Sequence, residues 1–268
     1  MEEASQIRVL LCSDTHGKKE GLDKVLSYVN SSKVHYDFVL HAGDFSNIKF
    51  DQHSDPMEES KALNDATETL KAIKDQLKVP IFFIPGNHEA NILYDGGVML
   101  EDVVNVHKKS VEVADKLIII GFGGAPPGIL LENNDWRNIW QGYPLSTHEA
   151  FDKNVILFFK EEIGKYSADS EFIFLTHCGP WNIETTVDFT GVQSGSKGIK
   201  EILDNYNERI LLLAHGHLHA RPGILRTHDS NCTVLNPGPA FIGRCADILL
   251  RKAQDNKWKI YELKLITT

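Results

Sequence analysis

The sequence predicts a mixed α/β fold, with parallel strands early in the chain and an added antiparallel portion near its end. Three observations predict it. Short apolar runs alternate with segments whose apolar residues recur at helical spacing. The end of the chain is rich in apolar runs of strand length. No linker-like, repeated or low-complexity segment divides the 268 residues, so we expect a single domain over residues 1–268.

The first part of the chain alternates strand and helix patterns. Apolar residues recur three or four positions apart over about 20–30, and again from Leu63 to Leu77, which predicts two amphipathic helices. The polar segment 46–60 between them is expected to be a loop. Three apolar runs have the length of buried strands: IRVLLC (7–12), DFVLH (37–41) and VPIFFI (79–84).

The rest of the chain is predicted to be richer in strands. Residues 103–122 hold strand material, and the Gly and Pro residues of GGAPPG (123–128) then interrupt the pattern. Helical spacing returns from Phe151 to Ile163 and in GIKEILDNY (198–206). The remaining apolar runs are predicted strands: EFIFLT (171–176), ILLLAH (210–215), CTVLN (232–236), ADILL (246–250) and WKIYELKLI (258–266).

The composition is typical of a soluble globular protein and restricts its partners. Hydrophobic residues make up 42% and charged residues 24% of the chain, and the formal net charge is −9. An acidic chain has no general attraction for nucleic acids or anionic membranes, so we expect neither as a partner. A phosphate-bearing substrate would need a local source of positive charge, such as metal ions.

The N-terminal stretch MEEASQIRVL lacks the basic and apolar segments of a signal peptide. No apolar run approaches the ~20 residues that a membrane helix needs. We therefore expect a cytoplasmic protein. The sequence leaves its oligomeric state open.

Metal-binding residue types follow five of the predicted strands. In α/β sheets, ligand sites form at the carboxyl ends of the strands. In an extended segment, residues two positions apart face the same side, so we expect each of the pairs Asp14/His16 and His217/His219 to face one point. The residues that follow the five strands are, in order, Asp14 and His16, Asp44, Asn87 and His88, His177, and His217 and His219.

Aspartate, asparagine and histidine together suit first-row divalent ions. We expect manganese first, with iron, zinc, cobalt or nickel as alternatives. Too many ligands converge for one tetrahedral ion, so two ions that share a carboxylate are expected. Each motif alone is a weak signal, and the strongest is HGHLH (215–219), because three histidines in five residues are costly to pack unless something binds them.

The ordered motifs DxH, GD, GNHE, a single His and GHxH resemble those of the calcineurin-like metallophosphoesterase superfamily, over nearly the whole chain. The phrases THCGPWN, GSKGIKEIL, HGHLHARPG and LNPGP resemble its branch of cyclic-nucleotide-phosphodiesterase-like and related predicted phosphoesterases. The resemblance implies a four-layer α/β/β/α sandwich of two mixed β-sheets flanked by helices.

The resemblance also implies an activity, the hydrolysis of phosphodiester bonds in small-molecule or cyclic-nucleotide-like substrates by attack of a metal-bridging hydroxide. His88 would face the substrate as general acid and bind no metal. Seven side chains would divide between two metal ions: Asp14, His16 and His219 at the first, Asn87, His177 and His217 at the second, and Asp44 bridging both.

Two alternatives stay open at this point. A phosphomonoesterase would use the same centre, and a non-catalytic scaffold would keep the fold and the metal without turnover, although the intact His88 favours an enzyme. Further residues have open roles. Glu89 could orient His88 or be a solvated loop acid, and Ser196 and Lys197 could open an anion-binding helix or a simple N-capped one. The others are candidate supporting or substrate-contacting side chains: His41, His215, Arg137, Arg221 and Arg244.

Overall fold

The predicted alternation of strands and helices is confirmed in the computed structural model, which describes residues 5–97, 100–133, 135–226 and 232–268. The α-helices are α1 (Lys19–Ser32), α2 (Pro56–Leu77), α3 (His148–Ile163) and α4 (Lys197–Tyr206). The strands are β1 (Gln6–Cys12), β2 (Phe38–His41), β3 (Ile81–Phe83), β4 (Val103–Asn105), β5 (Lys109–Ala114), β6 (Leu117–Phe122), β7 (Gly128–Glu132), β8 (Asp135–Trp140), β9 (Glu171–Thr176), β10 (Ile210–Ala214), β11 (Gly223–Arg226), β12 (Thr233–Asn236), β13 (Arg244–Lys252) and β14 (Trp258–Thr267).

Twelve of these strands form two six-stranded mixed sheets. The first has the order β14-β13-β1-β2-β3-β4, in which β1 to β4 are parallel, while β13 runs antiparallel to β1 and β14 antiparallel to β13. The second has the order β11-β12-β10-β9-β6-β5, with a parallel centre and antiparallel edge strands β5 and β11. The antiparallel addition near the chain end is thus β13 and β14, whereas β12 pairs parallel to β10.

The buried side chains separate four layers, as the sandwich requires. Val9 and Leu11 of β1 belong to a core that also contains residues of β6, β9 and β10, so this core lies between the two sheets. Leu10 and Cys12, on the other face of β1, pack with α1 and α2. A third core joins β6, β9 and β10 to α3 and α4. Both faces of the parallel strands are therefore buried, which explains their continuous apolar sequences.

Three features differ from the sequence prediction, and one of them is strand β11, which was not predicted. The segment 46–60 is not a loop throughout, because α2 begins at Pro56, where the side chain of Asp55 accepts a hydrogen bond from Met57 N. The strands β7 and β8 form a separate antiparallel hairpin after the Gly/Pro break. Strand β8 is largely exposed, so its sequence lacks the period-two pattern that arises where one face of a strand is buried, whereas β7 begins with two buried residues.

The longest helix of the described residues, α2, has 22 residues and carries many charged side chains. Within the described parts of the chain, no helix has the length and apolar character needed to span a bilayer.

Helix α1 approaches the backbone of a short turn, Ala240–Ile242, through Gly21. A Cβ atom at Gly21 would lie 2.2 Å from the carbonyl oxygen of Ala240. This turn also donates hydrogen bonds from Ala240 N to Ser13 O (2.7 Å) and from Phe241 N to Asp14 O (3.2 Å). Close packing of α1 therefore holds the turn against the segment that follows β1.

This contact generates a stability prediction. In an exposed helix, Gly→Ala usually stabilises by about 1 kcal/mol. At position 21 we expect the opposite, a loss of about 1–3 kcal/mol in the free energy of unfolding, because the added methyl group meets fixed backbone. Equilibrium unfolding in urea measures it. Ser27→Ala, at an exposed position of the same helix, should stay within about 0.5 kcal/mol of wild type. A Gly21→Ala protein as stable as wild type would show that the turn moves freely.

Candidate metal centre

The site residues predicted from the sequence meet where the two sheets present the carboxyl ends of their parallel strands. Strands β1, β2 and β3 are neighbours in the first sheet, and β9 and β10 are neighbours in the second. Backbone hydrogen bonds continue beyond the strands, from Asp14 N to Gly43 O (2.9 Å) and from Gly216 N to His177 O (3.0 Å). The structure thereby brings together all seven side chains that the sequence marked as candidate ligands: Asp14, His16, Asp44, Asn87, His177, His217 and His219.

The expectation that Asp14 and His16, and likewise His217 and His219, lie on extended segments is wrong. Strands β1 and β10 have already ended, and Asp14, His16 and His217 have φ values of 58°, 48° and 68°. Asp44, after β2, also has a positive φ of 58°. Non-glycine residues in this left-handed region cost roughly 1 kcal/mol or more each. The side chains therefore converge through tight turns rather than through the pleat of a strand.

Two glycines permit the close approach of the segments after β2 and β3. Gly43 has a φ of +89°, and a Cβ there would lie 2.4 Å from Gly86 N. A Cβ at Gly86 would lie 2.1 Å from Asp44 Oδ1. A larger residue at Gly43 would push against the backbone after β3, and one at Gly86 would displace the Asp44 carboxylate, which lies at the centre of the site.

The first group of candidate ligands contains Asp14, His16, Asp44 and His219. His219 Nε2 lies 3.2 Å from Asp14 Oδ1 and 3.0 Å from His16 Nε2. His16 Nε2 lies 3.5 Å from Asp44 Oδ2. The phenyl ring of Phe241 packs edge-on against both imidazoles and forms an apolar wall beside them.

The second group contains Asp44, His177 and His217, so Asp44 belongs to both groups. His177 Nε2 lies 3.3 Å from Asp44 Oδ2 and 3.0 Å from Asn87 Oδ1. The imidazoles of His177 and His217 contact each other edge to face, with ring centres 5.0 Å apart. The two groups are divided in the way that the family resemblance implies for two metal ions.

The hydrogen bonds of the imidazoles indicate which ring nitrogens are free to bind a cation. His16 Nδ1 lies 3.0 Å from Ser46 O, and His177 Nδ1 lies 2.7 Å from Ala42 O. A carbonyl oxygen only accepts, so each Nδ1 carries a hydrogen, and in the neutral ring each Nε2 presents a lone pair to the carboxylates. Among the described residues, the buried Nε2 of His217 has no hydrogen-bond partner. With neutral imidazoles, acceptor atoms therefore face one another, and this donor set fits divalent cations.

The electrostatics agree with this donor set. Burial alone would raise the pKa of Asp14, but the hydrogen bond and charge of His219 outweigh it and hold that pKa below its usual range. The Asp44 pKa is likewise lowered, chiefly by His177 acting against burial. Burial lowers the pKa of His217 to about 3. Burial also opposes the charge of His177, yet the charge and hydrogen bond of Asp44 raise its pKa to about 9. The ionised carboxylates therefore favour positive charge within the cluster.

His88 belongs to neither group but lines the cavity in front of them. Its backbone N–H donates to Asp44 Oδ1 (3.0 Å), and its Nδ1 lies 2.8 Å from Ile48 O. Nδ1 therefore carries a hydrogen. Within the described residues no hydrogen bond involves Nε2, which is left available to a molecule in the cavity.

The cavity has a volume of about 600 Å³. Its lining residues include several that were not singled out from the sequence, among them Lys49, Phe50 and Trp140. The indole of Trp140, at the end of the β7–β8 hairpin, lies 6.3 Å from the His217 ring. Nothing in their local sequence marks these residues, because only the fold brings the loop 46–55 and the hairpin to the site.

Two further residues that the sequence marked, Glu89 and His41, are buried beside the backbone that carries Asp44. Glu89 is buried, and its side chain accepts a hydrogen bond from Phe45 N, so it is neither a solvated acid nor hydrogen-bonded to His88. Burial, together with the charge of Asp44, raises the pKa of Glu89. His41 accepts from Gly43 N (3.3 Å) and stacks on Phe45. These contacts fix the backbone on either side of Asp44.

The remaining candidates lie farther from the ligands. His215 is buried against Thr185, with Nε2 2.9 Å from Oγ1. Ser196 caps α4 by accepting from Ile199 N (3.1 Å), and Lys197 Nζ lies over the Trp181 ring, which favours the simple N-cap over an anion site. Arg137 forms an ion pair with Glu132 on the hairpin (3.1 Å).

Comparison with known proteins gives a family. The sequence model of a family described as calcineurin-like phosphoesterase matches residues 7–221. No curated protein sequence matches the chain.

Several solved structures share the fold. The protein TT1561 of Thermus thermophilus is 15% identical, with a TM-score of 0.61 over 98% of this chain and 99% of its own. Phosphopantetheinyl hydrolase from Mycobacterium tuberculosis is 12% identical, with a TM-score of 0.59 over 89% of this chain and 92% of its own. The NAD nucleotidase of Haemophilus influenzae is 13% identical, with a TM-score of 0.52 over 99% of this chain but 51% of its own. At these identities the likeness shows the fold alone.

The shared position of Asp44 leads to a prediction about metal content. Asp44→Asn is expected to reduce the bound divalent metal by half or more, because the lost charge serves both groups. Elemental analysis after dialysis against manganese measures this. Manganese should also raise the melting temperature of wild type and do so less in the variant, since a ligand of the folded state stabilises it. Asp65→Asn, a carboxyl group beside Gly17 but in neither group, is the control. Undiminished metal in Asp44→Asn would exclude a bridging role.

Proposed function

Since the chain belongs to the calcineurin-like phosphoesterase family, we propose that it is a dinuclear-metal-dependent phosphodiesterase acting on small-molecule or cyclic-nucleotide-like substrates. The observation that carries the proposal is the pair of ligand groups that share Asp44 beside a cavity lined by His88. Both sheets contribute ligands, which supports a single domain over residues 1–268. The cytoplasmic location stays a prediction from the sequence.

In this proposal each ligand group holds one divalent ion. Asp14, His16 and His219 would hold the first, Asn87, His177 and His217 the second, and Asp44 would contact both. The bound pair would supply positive charge to the phosphoryl oxygens and lower the pKa of a coordinated water. We expect manganese first, with iron, zinc, cobalt and nickel as alternatives.

The chain's own part in catalysis is to orient His88. The carbonyl of Ile48 accepts from Nδ1, which fixes the plane of the ring, and the backbone N–H of His88 is bonded to Asp44. The group that can donate into the cavity is thus Nε2–H of the protonated imidazole. We propose that it donates this proton to the leaving oxygen as the ester bond breaks. The hydrogen bond from His88 N to Asp44 holds the proposed proton donor at a fixed position relative to the candidate metal ligands.

The cavity also bears on the substrate class. A volume of about 600 Å³ lies in the range of small-molecule sites. Phe50 and Trp140 offer apolar surface to an organic group, and the exposed Lys49 offers a positive charge at the rim. The acidic chain as a whole disfavours a nucleic-acid polymer as substrate. The preference for a diester rests on the sequence phrases shared with the phosphodiesterase-like branch.

The direct test compares a diester and a monoester on the same metal-loaded protein. We expect manganese-loaded enzyme to hydrolyse bis-p-nitrophenyl phosphate with a higher kcat/KM than p-nitrophenyl phosphate, and chelated enzyme to hydrolyse neither. The reverse preference would make it a phosphomonoesterase. No turnover of either compound with any of the five metals, on protein that elemental analysis shows to be loaded, would favour a non-catalytic scaffold.

The role of His88 gives a separate prediction. His88→Ala should lower kcat for bis-p-nitrophenyl phosphate by about 10²- to 10⁴-fold, since it removes the proton donor, while bound metal is unchanged. Elemental analysis and steady-state kinetics on one preparation measure both quantities. His35→Ala, at an exposed position of the surface, should match wild type. Loss of metal from His88→Ala would show that His88 is a ligand instead.

A further inference from the structure

A second cavity, of about 380 Å³, adjoins the metal-centre cavity. Ala220 lines both. The segment after β9 also passes from one to the other, since Asp188 lines the first cavity and its neighbour Phe189 the second. Ala220 and residues 188–189 therefore lie where the two cavities meet.

Two arginines, Arg221 and Arg244, lie in the wall of the second cavity. Two arginines elsewhere in the described chain have acidic partners, Arg8 with Asp247 and Arg137 with Glu132. Among the described residues, neither Arg221 nor Arg244 forms an ion pair, and the buried Nε of Arg221 has no hydrogen-bond partner. A buried guanidinium N–H without an acceptor is costly, so this cavity fits an anionic ligand.

The surroundings hold these arginines in place without neutralising them. The guanidinium of Arg221 lies 3.9 Å from the centre of the Phe189 ring, a cation–π contact that orients its plane. The amide of Asn236 donates to Leu218 O (3.0 Å) and Arg221 O (3.2 Å), which fixes the turn that carries Arg221.

The second arginine, Arg244, begins β13, and its side chain packs against a glycine. Its Cδ would lie 2.8 Å from a Cβ placed at Gly238, so the stem of Arg244 runs close along that turn. The one acid in the cavity lining, Glu184, is exposed and paired with neither arginine. The two guanidinium groups therefore keep their positive charge for a ligand.

We propose that Arg221 and Arg244 form a second anion subsite, which binds an oxyanion group on the part of the substrate that is not hydrolysed. Planar guanidinium groups bind phosphate and carboxylate oxygens in pairs, and two of them in one cavity favour a group with several such oxygens. The proposal deepens the proposed function and rests on it. It names the substrate class as phosphoesters that carry a second phosphate or carboxylate group, rather than esters of neutral alcohols.

Calorimetric titration of the manganese-loaded protein tests the subsite without requiring turnover. The probes are propyl phosphate, which can occupy the metal centre alone, and alkane-α,ω-diyl bisphosphates of increasing chain length. At one chain length we expect the bisphosphate to bind about 10- to 100-fold more tightly than propyl phosphate, because charge-assisted hydrogen bonds are added. Arg221→Gln and Arg244→Gln should each remove most of this advantage, with little effect on propyl phosphate.

Arg251→Gln is the matched control, since Arg251 stacks on Tyr261 in the first sheet, away from both cavities. It should keep the full advantage of the bisphosphate. The subsite is excluded if no bisphosphate binds wild type more tightly than propyl phosphate, or if the advantage survives in both arginine variants. These outcomes are independent of catalysis. A protein that binds bisphosphates through the arginines but hydrolyses no ester would contradict the proposed function and leave the subsite standing.

Discussion

The structure depends on one electrostatic constraint: two buried carboxylates lie among imidazole nitrogens that, in the neutral rings, present lone pairs rather than hydrogens. Asp14 and Asp44 are each 1% exposed, and His177 is fully buried. Burying ionised carboxylates in a protein interior costs several kcal/mol each unless positive charge accompanies them. Because the Nδ1 atoms of His16 and His177 are used on backbone carbonyls, the cluster supplies few hydrogens of its own. Cations are the partners that this arrangement lacks.

The fold provides this arrangement by aligning the ends of its parallel strands. The segments after β1 and β2 remain joined by backbone hydrogen bonds, and the segment after β10 is bonded to His177, which follows β9. The two sheets pack through a shared apolar core, so their strand ends are held at a fixed separation. The catalytic candidate His88 is tied to the same frame through Asp44. The candidate metal ligands and the proposed proton donor are thus positioned by the packing of the core between the two sheets.

The site also carries local costs that the core offsets. Asp14, His16, Asp44 and His217 all adopt left-handed backbone conformations, and Gly43 is needed where the chain passes closest to the segment after β3. Strained residues of this kind persist where surrounding structure over-determines them and cluster at functional sites. The second cavity also contains charged groups without partners, but of the opposite sign, since its two arginines lack acidic partners among the described residues. Positive and negative groups are therefore kept apart in neighbouring cavities, each available to a ligand of the other sign.

The sequence by itself determined most of the element types, the strand-end positions of the candidate ligands and the family. Apolar runs and helical spacing depend on neighbours along the chain, and short motifs such as GNHE and HGHLH are local as well. Only the tertiary structure decided which ligand groups share Asp44 and that tight turns, rather than extended segments, orient the candidate ligands after β1. It also decided that Phe50 and Trp140 line the cavity at the metal centre and that Arg221 and Arg244 line the second cavity. The physical reason is that these relations join residues far apart in the chain, and they are fixed by sheet packing and loop closure rather than by local preference.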